Sequence, residues 1–170
     1  MFAGDGGISG DYFDNWGLVR KSAGTGNSVI SATFNNHGGT IEVDSGQISL
    51  NGQGYAQGGG SFIVTLGGAN SGQSGQLACG SASLGGPLQV KLAGGFAPAI
   101  GNQFKILSCS SLSGTFSALN VPGGISVNYS NSGVFLVVTG AMPAQLVSPA
   151  LSGNNLTFSF ATVSNQSYTV

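Results

Sequence analysis

The 170-residue sequence carries 31 glycines, 41% hydrophobic residues and only 5% charged residues, for a formal net charge of -1. A surface this poor in charge must be coated by Ser, Thr, Asn, Gln and bare backbone, and four cations cannot supply the basic face that displaces counterions from nucleic acid. Hydrophobic residues in alternating runs at near-zero net charge argue against disorder, and the length suits one core with at most a small appendage.

In chain order, the first twelve residues are Gly- and Asp-rich and read as a lead-in. Met1-Phe2-Ala3-Gly4-Asp5 has neither the basic flank nor the apolar core of a signal peptide. From Phe13, the segment Phe13-Asp14-Asn15-Trp16-Gly17 is repeated 21 residues later as Phe34-Asn35-Asn36-His37-Gly38, a period typical of stacked coils. Ile41/Val43 and Ile48/Leu50 alternate with polar residues, separated by the turn Ser45-Gly46 and closed by Asn51-Gly52. The following GQGYAQGG reads as a loop. Ser61 to Leu66, Leu77 to Cys79 and Leu88-Gln89-Val90-Lys91-Leu92 read as further strands. Together they predict an all-β chain whose first part is a parallel β-solenoid (β-helix), with Ile41, Val43, Ile48, Leu50, Val90 and Leu92 pointing inward. Roughly four coils at about 4.8 Å each give a stalk about 20 Å tall.

Beyond Phe96 the pattern changes. Gly101 to Leu107, Leu112 to Phe116, Ile125 to Tyr129 and Val134 to Val138 read as successive strands of an antiparallel cap, with Ser130-Asn131-Ser132-Gly133 as a hairpin turn. Ala141 to Ser152 reads as a linker, followed by strands at Leu156 to Phe160 and Tyr168 to Val170 that stop in mid-alternation. The expected division is a stalk at 1–95, a cap at 96–140, and at 141–170 a linker with the first strands of an incomplete C-terminal module. No apolar run approaches the roughly 20 residues of a membrane-spanning helix, so no membrane insertion is expected.

The run Leu84 to Leu92, followed by Gly101 to Leu107 and Leu112 to Phe116, resembles the end of the β-helical passenger stalks of bacterial autotransporters and related Gly-rich surface proteins. The FNN-x-G units upstream resemble the repeats of such stalks. The resemblance spans residues 13–140 and implies a surface-displayed, extracellular protein of adhesive or scaffolding type.

Residues with chemistry are few. All five acids lie before residue 45. Glu42 and Asp44 share the outward face of one strand by parity, which suits a solvated face better than the opposed carboxylates of a glycosidase. Asp5, Asp11 and Asp14 are hard oxygen ligands in a flexible segment, the donor type calcium prefers, although no calcium-loop spacing is present; the alternative is a polar lead-in, and no other cofactor is expected. His37 is the single histidine, which excludes a multi-histidine zinc site. Tyr12, Trp16 and Tyr55 are the candidates for stacking on sugar rings. Cys79 and Cys109 invite a disulfide between stalk and cap, but parity from Phe104 and Ile106 sets Cys109 on the face of Lys105 and Leu107, so two separate thiols stay open. The expected function is non-enzymatic: a structural or adhesive segment acting by self-association, with Phe158 and Phe160 as assembly residues. The alternative is a carbohydrate-active or carbohydrate-binding module using the N-terminal aromatics and acids.

Overall fold

A computed structural model describes residues 12–142, 146–153 and 155–160. Among the described residues there is no helix; the chain is all-β, and most of its strand pairs are parallel.

The first four strands are β1 (Tyr12–Asn15), β2 (Leu18–Lys21), β3 (Asn27–Val29) and β4 (Thr33–Asn36). The chain continues through β5 (Thr40–Val43), β6 (Gln47–Ser49), β7 (Gly54–Ala56), β8 (Phe62–Leu66), β9 (Gln76–Ala78) and β10 (Ser81–Leu84). Then come β11 (Leu88–Leu92), β12 (Gln103–Ser108), β13 (Ser111–Gly114), β14 (Leu119–Asn120), β15 (Ile125–Ser130), β16 (Gly133–Val138), β17 (Leu146–Ser152) and β18 (Asn155–Phe160).

Within each of the three larger sheets the strands up to β14 recur at every third position. One sheet has the order β14-β11-β8-β5-β2, a second β15-β16-β12-β9-β6-β3, and a third β13-β10-β7, while β1-β4 and β17-β18 form two-stranded sheets of their own. The 21-residue repeat is a physical pairing: β1 runs parallel to β4 with Phe13 opposite Phe34 and Asn15 opposite Asn36. The Phe13 and Phe34 rings stack at 5.6 Å between centroids, and Asn15 Nδ2 donates to Asn36 Oδ1 at 2.9 Å and to the Thr40 carbonyl at 3.2 Å.

The core lies between the three larger sheets. Ile41, Val43, Ile48, Leu50, Phe62, Val64, Leu66, Leu77 and Leu88 are buried, as parity predicts for one face of each strand. Val90 is also buried, whereas Leu92 at the end of β11 is only half-buried. Gly46 sits where the stretch turns, at φ 67°; a Cβ there would run into the carbonyl oxygens of Gly24 and Gly26 in the turn before β3, so the Ser45-Gly46 turn is both a conformational and a steric requirement.

Four expectations change. The GQGYAQGG segment is not all loop: Gly54–Ala56 is β7, and Tyr55 is buried in the core. Just beyond it, Gly60 lets neighbouring strands approach, since a Cβ there would clash with the Gly39 carbonyl, while Gly52 takes the turn before β7 at φ 79°. Parallel pairing also continues beyond residue 96, since β12 pairs with β9, β13 with β10 and β14 with β11. Leu112 to Gly114 is therefore not an antiparallel strand; among the described residues antiparallel pairing is confined to β16 against β12, the β15–β16 hairpin and the β17–β18 pair. Part of the segment read as a linker is β17, which accommodates Pro149 where its register against β18 shifts between Val147 and Ala150.

The fourth change is a β-bulge in β12 between Lys105 and Leu107. It buries both Ile106 and Leu107 and reverses the parity that follows. Cys109 consequently turns inward, beyond the Leu107–Leu77 and Ser108–Ala78 pairs, and lies next to Cys79. Both thiols are free and buried.

Candidate functional site

The outward residues of β1 and β4 form a connected cluster. Asp14 Oδ1 lies 2.9 Å from His37 Nε2 and accepts a hydrogen bond of 2.9 Å from Asn35 Nδ2. These bonds, that of Asn35 first and that of His37 second, hold the Asp14 carboxyl below its usual value. His37 is thereby fixed in its ring plane, and Trp16 stacks on it at 4.3 Å between centroids with 8° between planes. Trp16 and Tyr12 are 74% and 69% exposed, so both expected aromatics are accessible. Tyr55, the third, is 2% exposed and cannot contact a sugar: its parity follows Phe13 and Phe34 into the core. Among the described residues its hydroxyl is buried without a hydrogen-bond partner, and burial, with Cys79 nearby, pushes its pKa up.

Beside this cluster lies an open groove of about 520 Å³. It follows a break in the pairing: β4 and β7 belong to different sheets. The Gln53 side chain takes the place of a ladder partner there, accepting from the Phe34 N–H at 3.0 Å and donating to the carbonyls of Ser31 and Ala32 at 3.0 and 2.9 Å. The groove wall is Asn35 and His37, and its floor is paved with the small outward residues of β7, β10 and β13. Ser81 pairs with Ser111 and Ser83 with Ser113, so four exposed hydroxyls form a grid. No Lys or Arg lines the groove.

The cations lie elsewhere. Arg20 pairs with Asp44 at 2.7 Å and with Glu42 at 3.4 Å, and Lys91 reaches Glu42 at 2.7 Å. Thr65 Oγ1 donates to Asp44 at 2.8 Å. The Asp44 hydrogen bond and the two carboxylates raise the Arg20 pKa. Glu42 points away from the core as expected, but it is buried beneath these partners and does not form a solvated face. The arrangement is an ion-pair network across β2, β5 and β11, with both carboxylates committed to cations.

Of the proposed calcium ligands, Asp5 and Asp11 lie outside the described residues, and Asp14 is committed to Asn35 and His37. Among the described residues no three His, Cys, Asp or Glu side chains gather as a metal site. The side chains of Phe158 and Phe160 lie outside the described residues; the backbone carrying them is β18.

Neither His37 as the partner of Trp16 nor the serine grid is among the features expected from the sequence. The alignment of Trp16 with His37 across the repeat carried the first signal, and the alternating Ser81, Ser83, Ser111 and Ser113 carried the second. No family model matches this chain, and no relative was found among the curated proteins.

Proposed function

We propose that the chain is a parallel β-solenoid stalk, closed on its C-terminal side by the β15–β16 hairpin, and that it serves as a non-enzymatic structural or adhesive segment of an exported surface or extracellular matrix protein. The observation that carries this reading is the recurrence of strands: β2, β5, β8, β11 and β14 pair in parallel order, and β3, β6, β9 and β12 do the same on a second side. A chain wound in this way makes a rigid rod whose length is set by the number of passes, which suits display and spacing. The hairpin supports the notion of a closure, because β16 lies antiparallel on β12 in the place a further parallel strand would take.

The working mode under this proposal is contact with neighbouring chains. At the other end β1, β2 and β3 are the terminal strands of their sheets among the described residues, and Leu18 and Val29 on them are more than half exposed. Such edges recruit strands. Sedimentation velocity across a concentration series tests this: the wild type should associate as concentration rises, and Phe158→Lys with Phe160→Lys should weaken association while the melting temperature stays put. A chain that remains monomeric throughout the series refutes self-association.

A second reading, a carbohydrate-contacting surface, is favoured by the exposed Trp16 plate held on His37 beside a neutral groove.

A further inference from the structure

The repeat places Trp16, His37 and Gly58 at equivalent positions on three successive passes. Gly59 packs on Gly38, and Gly60 is adjacent to Gly39, which fixes Gly58 as the counterpart of His37. Trp16 covers one face of the imidazole. On the next pass Gly58 has no side chain to cover the other, and a Cβ at Gly58 would meet nothing within 4 Å. Among the described residues the second imidazole face is therefore uncovered, and it stands at the head of the groove, backed by an indole and oriented by Asp14.

From that head the floor continues across β7, β10 and β13 as small neutral groups. Ser83 and Ser113 are paired in register, so their positions repeat at the inter-strand spacing of about 4.8 Å, which is close to the advance of one ring along an extended β-linked pyranose chain; the Ser113 hydroxyl donates to the Ala82 carbonyl at 3.3 Å and offers its oxygen as an acceptor. The groove thus offers a flat ring for a sugar's C–H face, Asn35 as an amide partner for hydroxyls, and a hydroxyl ladder in step with the polymer. The absence of Lys and Arg from the lining disfavours an anionic polymer, and a floor of Ser, Ala and Gly lacks the side-chain pockets that anchor a peptide.

We propose that this groove binds an uncharged polysaccharide chain, laid across β4, β7, β10 and β13 with its end ring packed on His37. The proposal rests on the carbohydrate-contact reading above and adds the site, the orientation and the ligand class. Catalysis is no part of it.

Trp16 is the only tryptophan, so its emission reports directly on the His37 stack. The experiment titrates the chain with cello-, xylo-, manno- and laminari-hexaose while following Trp16 emission, and measures retention on the matching insoluble polymers. At least one neutral series should shift the emission and retain the protein. Gly58→Phe, which has room to fold, should abolish both at unchanged melting temperature. Trp16→Ala, read by retention, should weaken binding about tenfold. Retention that survives Gly58→Phe would leave a carbohydrate contact standing but remove it from this groove, overturning the proposal alone. No response to any neutral polymer, or a response to acidic polymers only, overturns the proposal together with the neutral-glycan reading.

Discussion

Asp14 and Tyr55 show opposite ways in which one polar atom is handled. Asp14 is an exposed carboxylate with two hydrogen-bond partners, so its folded pKa lies below the ordinary 3.8. The stability it contributes is present above the unfolded-state value and is lost as pH falls through the folded one. Carboxyl carbon resonances should place Asp14 below 3.8, and Asn35→Ala, which removes the largest cause, should move it upward; an Asp14 titrating at or above the ordinary value contradicts the contact. Tyr55 instead buries a hydroxyl that has no partner among the described residues. Tyr55→Phe should keep the packing and relieve a desolvated donor, raising stability by about 1 kcal/mol in thermal melts. A clear loss of stability in that variant would mean that the hydroxyl is bonded. Asp14 is legible in the sequence as a polar residue of a repeat, but its partners are not, because they come from the neighbouring strand, 21 and 23 residues on. Tyr55 is not legible as a core residue because its glycine-rich surroundings read as a loop, whereas the pairing of Gly54–Ala56 with Ser81–Ser83 makes that short stretch a strand.

At the scale of the element, the bulge in β12 has the largest consequence. Strict alternation would point Cys109 outward; one extra residue between Lys105 and Leu107 points it inward against Cys79. Burial first, and Cys109 second, push the Cys79 thiol up to about 12, and burial raises Cys109 as well. Both should therefore be protonated and unreactive at neutral pH, since the thiolate is the nucleophile. Alkylation without denaturant should label neither cysteine over the time in which a denatured sample labels both; prompt native labelling of Cys109 would mean that the bulge is absent and the strict alternation holds. Alternation fixes which residues of a regular strand are buried, so the interior set from Ile41 to Val90 could be read without a structure. A bulge leaves no such mark: Lys105-Ile106-Leu107 fits either parity, and only the opposing β16 decides between them. The β17 strand was hidden for a related reason, because its Pro149 is tolerated only where the ladder is already shifted.

For the whole molecule, the order of strands predicts a gradient of stability. Each central strand of the three larger sheets is paired on both sides, whereas β1, β2 and β3 are paired on one side only among the described residues. Under the solenoid reading proposed above, the chain holds together by nearest-neighbour contacts, so opening begins where one neighbour is missing. Amide hydrogen exchange should be slowest in β5, β6, β8 and β9, whose Ile41, Val43, Ile48, Phe62 and Leu77 are fully buried, and faster in β2 and β3. The β12–β16 contact should protect the other side, because β16 satisfies the edge of β12 with antiparallel bonds. Deleting the β15–β16 hairpin should therefore raise exchange in β12 first and in β9 only later, while β5 and β6 keep their protection. The β17–β18 pair hydrogen-bonds in a sheet of its own, and a two-stranded sheet is marginal by itself, so its amides should exchange fastest among the paired strands. Uniform protection from β2 to β16 would mean that the chain opens as one cooperative unit, and the pass-by-pass account of its stability would have to be abandoned.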